Sequence, residues 1–410
     1  MSRDGARAVV VGGGVIGTWH ALELVRAGFT VDHLEADAAP TGASVRNFGL
    51  LWVSGRRSGE ELDVARRARR RWEEIGGEVP GIGFRPMASL TVACRDEERA
   101  VMEAFARHPD ATARGISFLE PGEARAVNPA VAGDIAGALH CGEDAVVEPR
   151  HVPGALREHL THSAPDRYRF HPGRRVVAAE PHTAVDATGT RWEGDFVVLA
   201  TGAAYDHLPG TEAPARQLRR VRLQMLETEP LPARLTTSLA DADTLRYYPA
   251  YEVAPLGELG EQTPVARQHH LQLLLVQRPG GALTVGDTHA YDEPFDFALV
   301  EDPTEELLAR AERILGTPLP PVRRRWEGVY AQCKDGRVCL REEIGPGVLL
   351  VTGAGGRGMT CAPAIAADTL AAAGITNTVT TAVTTAVTTA VTHAGARAAG
   401  SGAAPQPAHP

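Results

Sequence analysis

Cysteine is scarce in this chain of 410 residues: there are five, an odd number, and no two form a CxxC pair. That argues against a disulfide framework, a zinc site or a cysteine-ligated iron–sulfur relay, and fits a reducing compartment. No metal site is expected. Long apolar runs are missing too. None approaches the roughly 20 residues that a membrane-spanning helix needs, so no membrane partner is expected. Excess positive charge is also lacking, with a formal net charge of -9. An acidic chain is a poor partner for nucleic acid, and a cytoplasmic location is the expectation. The one basic run is Arg66, Arg67, Arg69, Arg70 and Arg71. It lies among Leu62, Ala65 and Trp72 at helical spacing and reads as a solvated helix face. Arg3 and Arg7 flank the start of an apolar run, but that run becomes a glycine-rich turn and reads as part of the fold, not as a leader.

What the chain does have is glycine set between strands and helices. Residues 7–11 (RAVVV) read as a buried parallel strand ending at Gly12. Helical periodicity runs from Ile16 to Ala27, with Gly28 as its C-terminal stop. Residues 29–35 (FTVDHLE) are the next strand, which completes a β-α-β unit. Between the first strand and the helix lies Gly12-Gly13-Gly14-Val15-Ile16-Gly17, a G-x-G-x-x-G loop in the context the motif requires. Gly12 permits the turn, Gly14 lets the backbone approach a pyrophosphate, and Gly17 lets helix and strand pack closely. The first helical amides, at Val15 and Ile16, offer N–H groups and a partial positive charge to the phosphates. Glu35, at the end of the second strand, is placed to accept hydrogen bonds from a ribose diol. These features together predict dinucleotide binding.

Further along, ASLTVA (88–93), TLRYYPAYEV (244–253), LQLLLVQ (271–277) and ALTVGD (282–287) read as strands of a second sheet. The style of the first sheet returns at 146–202, with a helix near 150–161, RRVVAAE (174–180) and FVVLATG (196–202). It returns once more at 344–374, where GVLLVTG (347–353) is followed by a glycine loop and an alanine-rich helix. The expected fold is α/β: a discontinuous Rossmann-type FAD-binding domain with an inserted α+β substrate domain on a mostly antiparallel sheet. The expected division assigns 1–84, 146–220 and 326–375 to the nucleotide domain and 85–145 and 221–325 to the substrate domain. Residues 376–410, with three TTAV repeats, read as a low-complexity tail.

The strand ending in Ala200-Thr201-Gly202 resembles the strand-end ATG motif of flavoproteins with two dinucleotide-binding domains. Val176 and Val177 resemble the strand whose backbone contacts adenine in that group. No second complete G-x-G-x-x-G unit appears mid-chain, which argues against a separate nicotinamide domain. The second glycine loop is Gly353-Ala354-Gly355-Gly356-Arg357-Gly358-Met359-Thr360. Two glycine loops at opposite ends of the chain, with the ATG strand between, resemble the D-amino-acid-oxidase-like flavoproteins over about residues 7–374. That superfamily includes sarcosine, glycine and D-amino acid oxidases. The resemblance implies FAD, with the second helix N-terminus holding negative charge on the reduced flavin ring. Some members link FAD to a cysteine. Cys333 and Cys339 lie in the relevant region but read as small apolar residues, so the flavin is expected to be non-covalent.

A narrower resemblance rests on 42–49 (GASVRNFG), 247–251 (YYPAY), 286–289 (GDTH) and 325–330 (RWEGVY). These stretches resemble FAD-dependent oxidoreductases of aminophosphonate degradation, which act on 2-aminoethylphosphonate or its N-methyl form to give phosphonoacetaldehyde. The resemblance implies that Ser44, Arg46, Asn47, Phe48 and Gly49 wrap the cofactor. The chain departs from that pattern at Leu51-Trp52-Val53-Ser54-Gly55-Arg56, close to the expected active site, and at Thr288.

Flavin oxidation of an amine needs the amine neutral, so the site must lower its pKa or accept its proton. His289, with Asp287, is the candidate base or orienter. An anionic head group needs a cation, for which Arg46, Arg246 and Arg325 are candidates. Tyr248, Trp326 and Tyr330 are candidates for an aromatic wall, with Tyr247 and Tyr251 expected on the opposite side of a strand from Tyr248. Arg357 is placed near the flavin ring. The reading that emerges is oxidation of a small amine, with oxygen or another electron acceptor, in a chain that could pair as a homodimer. The alternatives are a sarcosine, glycine or D-amino acid oxidase, and a flavin-bearing electron-transfer subunit.

Overall fold

The computed structural model describes residues 5–375; the tail expected over 376–410 lies outside the described residues. Arg7–Val11 is a central strand of a six-stranded sheet. The order across that sheet is Leu340–Gly345, Val348–Thr352, Phe196–Leu199, Arg7–Val11, Thr30–Leu34, Tyr168–His171. Every neighbouring pair is parallel except the hairpin at the 340–352 edge. The sheet is thus assembled from stretches far apart in sequence, as the discontinuous glycine motifs require. Helices Val15–Arg26, Glu60–Glu78 and Gly358–Ala372 share one apolar core beside it, in which Trp19 meets Trp72 edge to face at 5.0 Å. The Trp72 indole N–H donates to the Met359 carbonyl at 3.0 Å, which ties the second glycine loop to that core.

The basic run lies on helix Glu60–Glu78, yet most of it is not a solvated face. Arg66 pairs with Glu143, Arg67 with Asp368 and Arg71 with Glu23, while Arg69 is buried against Glu73 and the Glu143 carbonyl. Only Arg70 of the five is exposed. The guanidinium heads of Arg66, Arg67 and Arg71 reach carboxylates on neighbouring elements.

The second sheet has eight strands in the order Val322–Cys333, Leu218–Pro230, Ala282–Gly286, Leu274–Gln277, Ser238–Asp241, Ser89–Ala93, Gly137–Cys141, Ile116–Leu119. All its pairs are antiparallel except Ser238–Asp241 with Ser89–Ala93. Its two longest strands, Leu218–Pro230 and Val322–Cys333, pair from Leu218 opposite Cys333 to Thr228 opposite Val322. The boundaries drawn at 220/221 and 325/326 fall inside these strands, so a division there would cut one sheet. At the Cys333 end the second sheet joins the first, because the Cys333 N–H donates to the Gly353 carbonyl at 3.0 Å.

Residues 244–253 are not a strand. They form a helical turn, Thr244–Tyr247, then a 3-10 turn, Pro249–Tyr251. Tyr248, between them, is extended at φ -92° and ψ 129°, as a residue before proline should be. The alternation expected of a strand therefore fails: Tyr248 and Tyr251 are both buried, and their rings meet Trp52 and Phe105 respectively. Among the described residues, no helix is long and apolar enough to cross a membrane.

Candidate active site

The chain turns from its first strand into the helix through Gly12, at φ 109°. A Cβ there would lie 2.3 Å from the Ala200 carbonyl oxygen, and one on Gly17 would lie 1.9 Å from the Gly12 oxygen. Side chains would push helix and strand apart, so these two glycines are set by packing. Gly14 caps the helix with no side-chain hydrogen bond, and no acidic residue occupies the first turn. No carboxylate within the first turn itself therefore offsets the positive end of this helix. Glu35 Oε2 accepts the Gly13 N–H at 2.7 Å and Oε1 the Asp37 N–H at 3.0 Å, which fixes the carboxylate at the strand end. Ser44 Oγ accepts the Val15 N–H at 2.9 Å and so lays the 42–49 loop across the glycine turn. Asn47 closes that loop on itself through the Ala43 and Ser44 carbonyls and the Gly49 N–H.

The second glycine loop approaches from the other end of the chain. Thr352 donates its hydroxyl to the Gly202 carbonyl at 2.8 Å, which joins the ATG strand end to the start of this loop. Gly353, at φ 79°, lies against Cys333, whose Sγ would stand 2.6 Å from a Cβ. Residues Gly355–Arg357 make one 3-10 turn into helix Gly358–Ala372.

Both loops open on one cavity of about 860 Å³, near the upper end for small-molecule sites. Gly12, Gly14, Val15, Ile16, Glu35, Ser44, Arg46, Asn47, Phe48, Thr201 and Gly202 line it, as do Gly353, Gly355, Gly356, Arg357, Gly358 and Met359. The same cavity reaches Arg246, Tyr248, Asp287, His289 and Tyr330.

Several expected residues stand elsewhere. Gly17 and Gly49 serve packing; a Cβ on Gly49 would meet the Val147 oxygen at 2.1 Å. Val177 turns its side chain to solvent at 44% exposure, and Val176 lines the cavity in its place. Thr360 is turned back, donating to the Leu50 carbonyl at 3.2 Å and accepting the Trp52 N–H at 3.0 Å. Trp326 lies outside the lining, beneath the Arg150 guanidinium at 5.1 Å. Arg325 also lies outside it and pairs with Glu301 at 3.1 Å. Neither Cys333 nor Cys339 lines the cavity, and both are buried.

The far end of the cavity holds an acid–base pair. Asp287 and His289 are 5% and 2% exposed, with His289 Nε2 at 3.9 Å from Asp287 Oδ2. Burial pushes the Asp287 carboxyl up to about 7, against a hydrogen bond from Gln272. Burial pulls the His289 imidazole down to about 4, against its bond to the His270 carbonyl. With Nδ1 at 3.1 Å from that carbonyl, the proton of neutral imidazole belongs on Nδ1, and Nε2 carries the lone pair. The Tyr247 ring stacks on His289 at 4.5 Å, and the Tyr291 ring lies nearly parallel to it at 6.3 Å. Arg219, over Tyr291 at 4.3 Å, completes this wall.

Sequence reasoning missed Arg56, Arg219, Gln272 and Tyr291, all of which line the cavity. Of these, Arg56 alone carried a signal, since it lies in the stretch that departs from the narrower family pattern.

The residues fit a flavin dinucleotide. The first loop is a cradle that a Cβ on Gly14 would begin to fill, 2.9 Å from Ser44 Oγ. Buried polar atoms on the cavity wall, Thr201 Oγ1 and Gln272 Oε1, have no protein partner. Such atoms are costly unless a ligand or water satisfies them.

Comparison with known proteins agrees. The pattern of the family described as "DAO: FAD dependent oxidoreductase" matches residues 7–372. A curated relative, one of the subunits of an opine oxidase from Rhizobium meliloti, is 26% identical over a match covering 54% of this chain and 62% of that protein. Less than two thirds of that relative's length is therefore spanned. Among solved structures, glycine oxidase from Geobacillus kaustophilus superposes with a TM-score of 0.70 at 20% identity, covering 88% of this chain and 93% of that one. L-proline dehydrogenase from P. horikoshii gives 0.72 at 18% identity, covering 91% and 95%. An L-alpha-glycerophosphate oxidase from Mycoplasma pneumoniae, solved with FAD bound, gives 0.67 at 16% identity, covering 89% and 94%. This chain belongs to the DAO family of FAD-dependent oxidoreductases.

Proposed function

We propose that this protein oxidises the C–N bond of a small amine carrying an anionic group, with 2-aminoethylphosphonate or its N-methyl form as the first candidate. The observation that carries the reading is a single cavity lined at one end by two glycine loops and at the other by a buried Asp287–His289 pair. FAD, when bound, supplies the two-electron acceptor for hydride from the carbon beside nitrogen. The chain's residues do the rest. Gly14, Ser44, Glu35 and Thr201 grip the dinucleotide. His289 Nε2 accepts the proton of an arriving ammonium, because its Nδ1 is committed to the His270 carbonyl. The aromatic faces of Tyr247 and Tyr291 keep that nitrogen dry and hold the imidazole plane. Water then hydrolyses the imine product; from 2-aminoethylphosphonate this gives phosphonoacetaldehyde. Relatives named for glycine, L-proline and opine oxidation support an amine as the substrate.

The test is anaerobic mixing of the yellow protein with N-methyl-2-aminoethylphosphonate, 2-aminoethylphosphonate, sarcosine, glycine and D-alanine in turn. Bleaching of the flavin by the phosphonates is expected. Bleaching by only the carboxylate amines would move the substrate to the sarcosine, glycine or D-amino acid class. That the opine oxidase relative is one subunit of its enzyme favours a second reading of the acceptor, in which electrons pass to a partner protein. Slow recovery of colour in air by the reduced protein would support it, and recovery within seconds would rule it out.

A further inference from the structure

Each guanidinium singled out from the sequence for the substrate's anionic group has other partners. Arg46 is exposed and donates to the Glu327 carbonyl at 3.0 Å. Arg246 is exposed and held by Asp243 and the Gly260 carbonyl. Arg325 lies outside the cavity.

Arg56 differs. It lines the cavity, yet the residue is only 4% exposed. Its Nε donates to the Trp52 carbonyl at 2.8 Å, and its plane lies over the Tyr248 ring at 5.7 Å. Its Nη1 is 3.7 Å from Glu61, whose carboxylate is also 3.4 Å from Arg357. Two guanidinium groups share one buried carboxylate, so the cluster carries one positive charge more than it neutralises. Among the described residues, Arg56 Nη2 donates no hydrogen bond. A buried guanidinium that shares its one carboxylate with a second guanidinium leaves net positive charge for a further anion to complete.

The loop that carries Arg56 is clamped by two buried charges of opposite sign. Asp144, fully buried, accepts the N–H groups of Val53 and Ser54 at 2.6 and 3.0 Å and the hydroxyls of Ser54 and Ser89 at 2.7 and 2.6 Å. Arg114, also fully buried, donates to the Arg56 carbonyl, to the Ser54 carbonyl at 3.3 Å and to Ser58 Oγ at 2.8 Å. Carboxylate on the amide side and guanidinium on the carbonyl side fix a segment that has no regular structure of its own. That cost is out of proportion for a loop with no task.

We propose that Arg56 binds the carboxylate or phosphonate of the substrate, and that Asp144 and Arg114 are positioning residues that hold its guanidinium in the cavity. The assignment rests on the amine-oxidase reading for the word substrate, but the anion site itself can be tested without turnover. Oxidised holoenzyme is titrated with two inert anions, methylphosphonate and acetate, by the change each causes in the flavin absorbance. Saturable perturbation by at least one is expected. Loss of a hydrogen bond to a charged group predicts a dissociation constant raised about 10- to 100-fold in Arg56→Gln. Arg56→Lys should recover part of the loss. Asp144→Asn keeps an acceptor for the two amides but no charge, and should weaken anion binding with flavin content unchanged.

An Arg56→Gln protein that titrates like the wild type overturns the proposal. So does one whose flavin affinity or reduction potential shifts while anion binding does not, since Arg56 would then serve the cofactor. If no amine in the panel bleaches the flavin but the anion titration still depends on Arg56, the site stands and the amine reading fails.

Discussion

Burial acts in opposite directions on the two groups of the Asp287–His289 pair. It raises the carboxyl to about 7 and lowers the imidazole to about 4, so near neutrality the histidine is a neutral acceptor. Replacing His289 by Gln should lower the rate of anaerobic flavin reduction by about 100-fold, the usual loss for a general base, with bound flavin unchanged. A rate equal to wild type at every pH would remove His289 from the mechanism. Asp287 gives a stability prediction with a definite sign. Its folded pKa lies above the ordinary 3.8, so between about pH 4 and pH 7 the folded state holds a proton that the unfolded state has released. Asp287 therefore costs stability progressively as pH rises through that window. Asp287→Asn should match the wild-type melting temperature at pH 4 and exceed it at pH 8. A difference independent of pH would mean that the carboxyl is ionised and otherwise compensated. The surroundings of this pair were hidden in the sequence. His289 and Asp287 are two apart, but Gln272, Tyr291 and Arg219 reach them only through the folded chain.

At the scale of elements, the glycine loops were the most legible features. A strand, a G-x-G-x-x-G turn and a helix form a local unit whose spacing is dictated by backbone sterics. Gly14→Val should give folded but nearly colourless protein with FAD affinity reduced at least about 100-fold, because its side chain enters the phosphate cradle. Full flavin content in that variant would show that the loop does not grip the cofactor. Gly17→Ala is a different kind of change. Its Cβ would meet the Gly12 oxygen at 1.9 Å, so the expected effect is a lower melting temperature in both the presence and absence of FAD. The segment at 244–253 was the least legible. Its aromatic alternation suggested a strand, but Pro249 admits a turn, and tertiary packing buries both Tyr248 and Tyr251. Propensity yields when large rings can fill a core from a turn as well as from a strand. The basic helix was misjudged for a related reason. Its acidic partners, Glu23, Glu143 and Asp368, come from distant parts of the chain.

For the whole molecule, the cavity is the joint between two sheets, and neither sheet is built from one continuous stretch. FAD should therefore stabilise the assembly as a unit. At a free concentration 100 times its dissociation constant, a ligand of the folded state adds about 2.7 kcal/mol. The melting temperature should rise saturably with added FAD, by a few degrees, while Gly14→Val shows little rise. No rise in the wild type would contradict a flavin site in this cavity. The amino-acid sequence by itself determined the β-α-β opening, the two glycine turns, the discontinuity of the nucleotide sheet and the binding of a dinucleotide, while FAD in particular was implied by the family resemblance. Those follow from local sterics and short-range periodicity, which act between neighbours along the chain. Only the tertiary structure decided which side chains share the substrate end. Arg56 enters because Asp144 and Arg114, both distant along the chain, clamp its loop; Trp326 and Arg325 lie outside the cavity, one against Arg150 and the other paired with Glu301. Burial and charge compensation are properties of the folded interior, and no spacing along the chain encodes them.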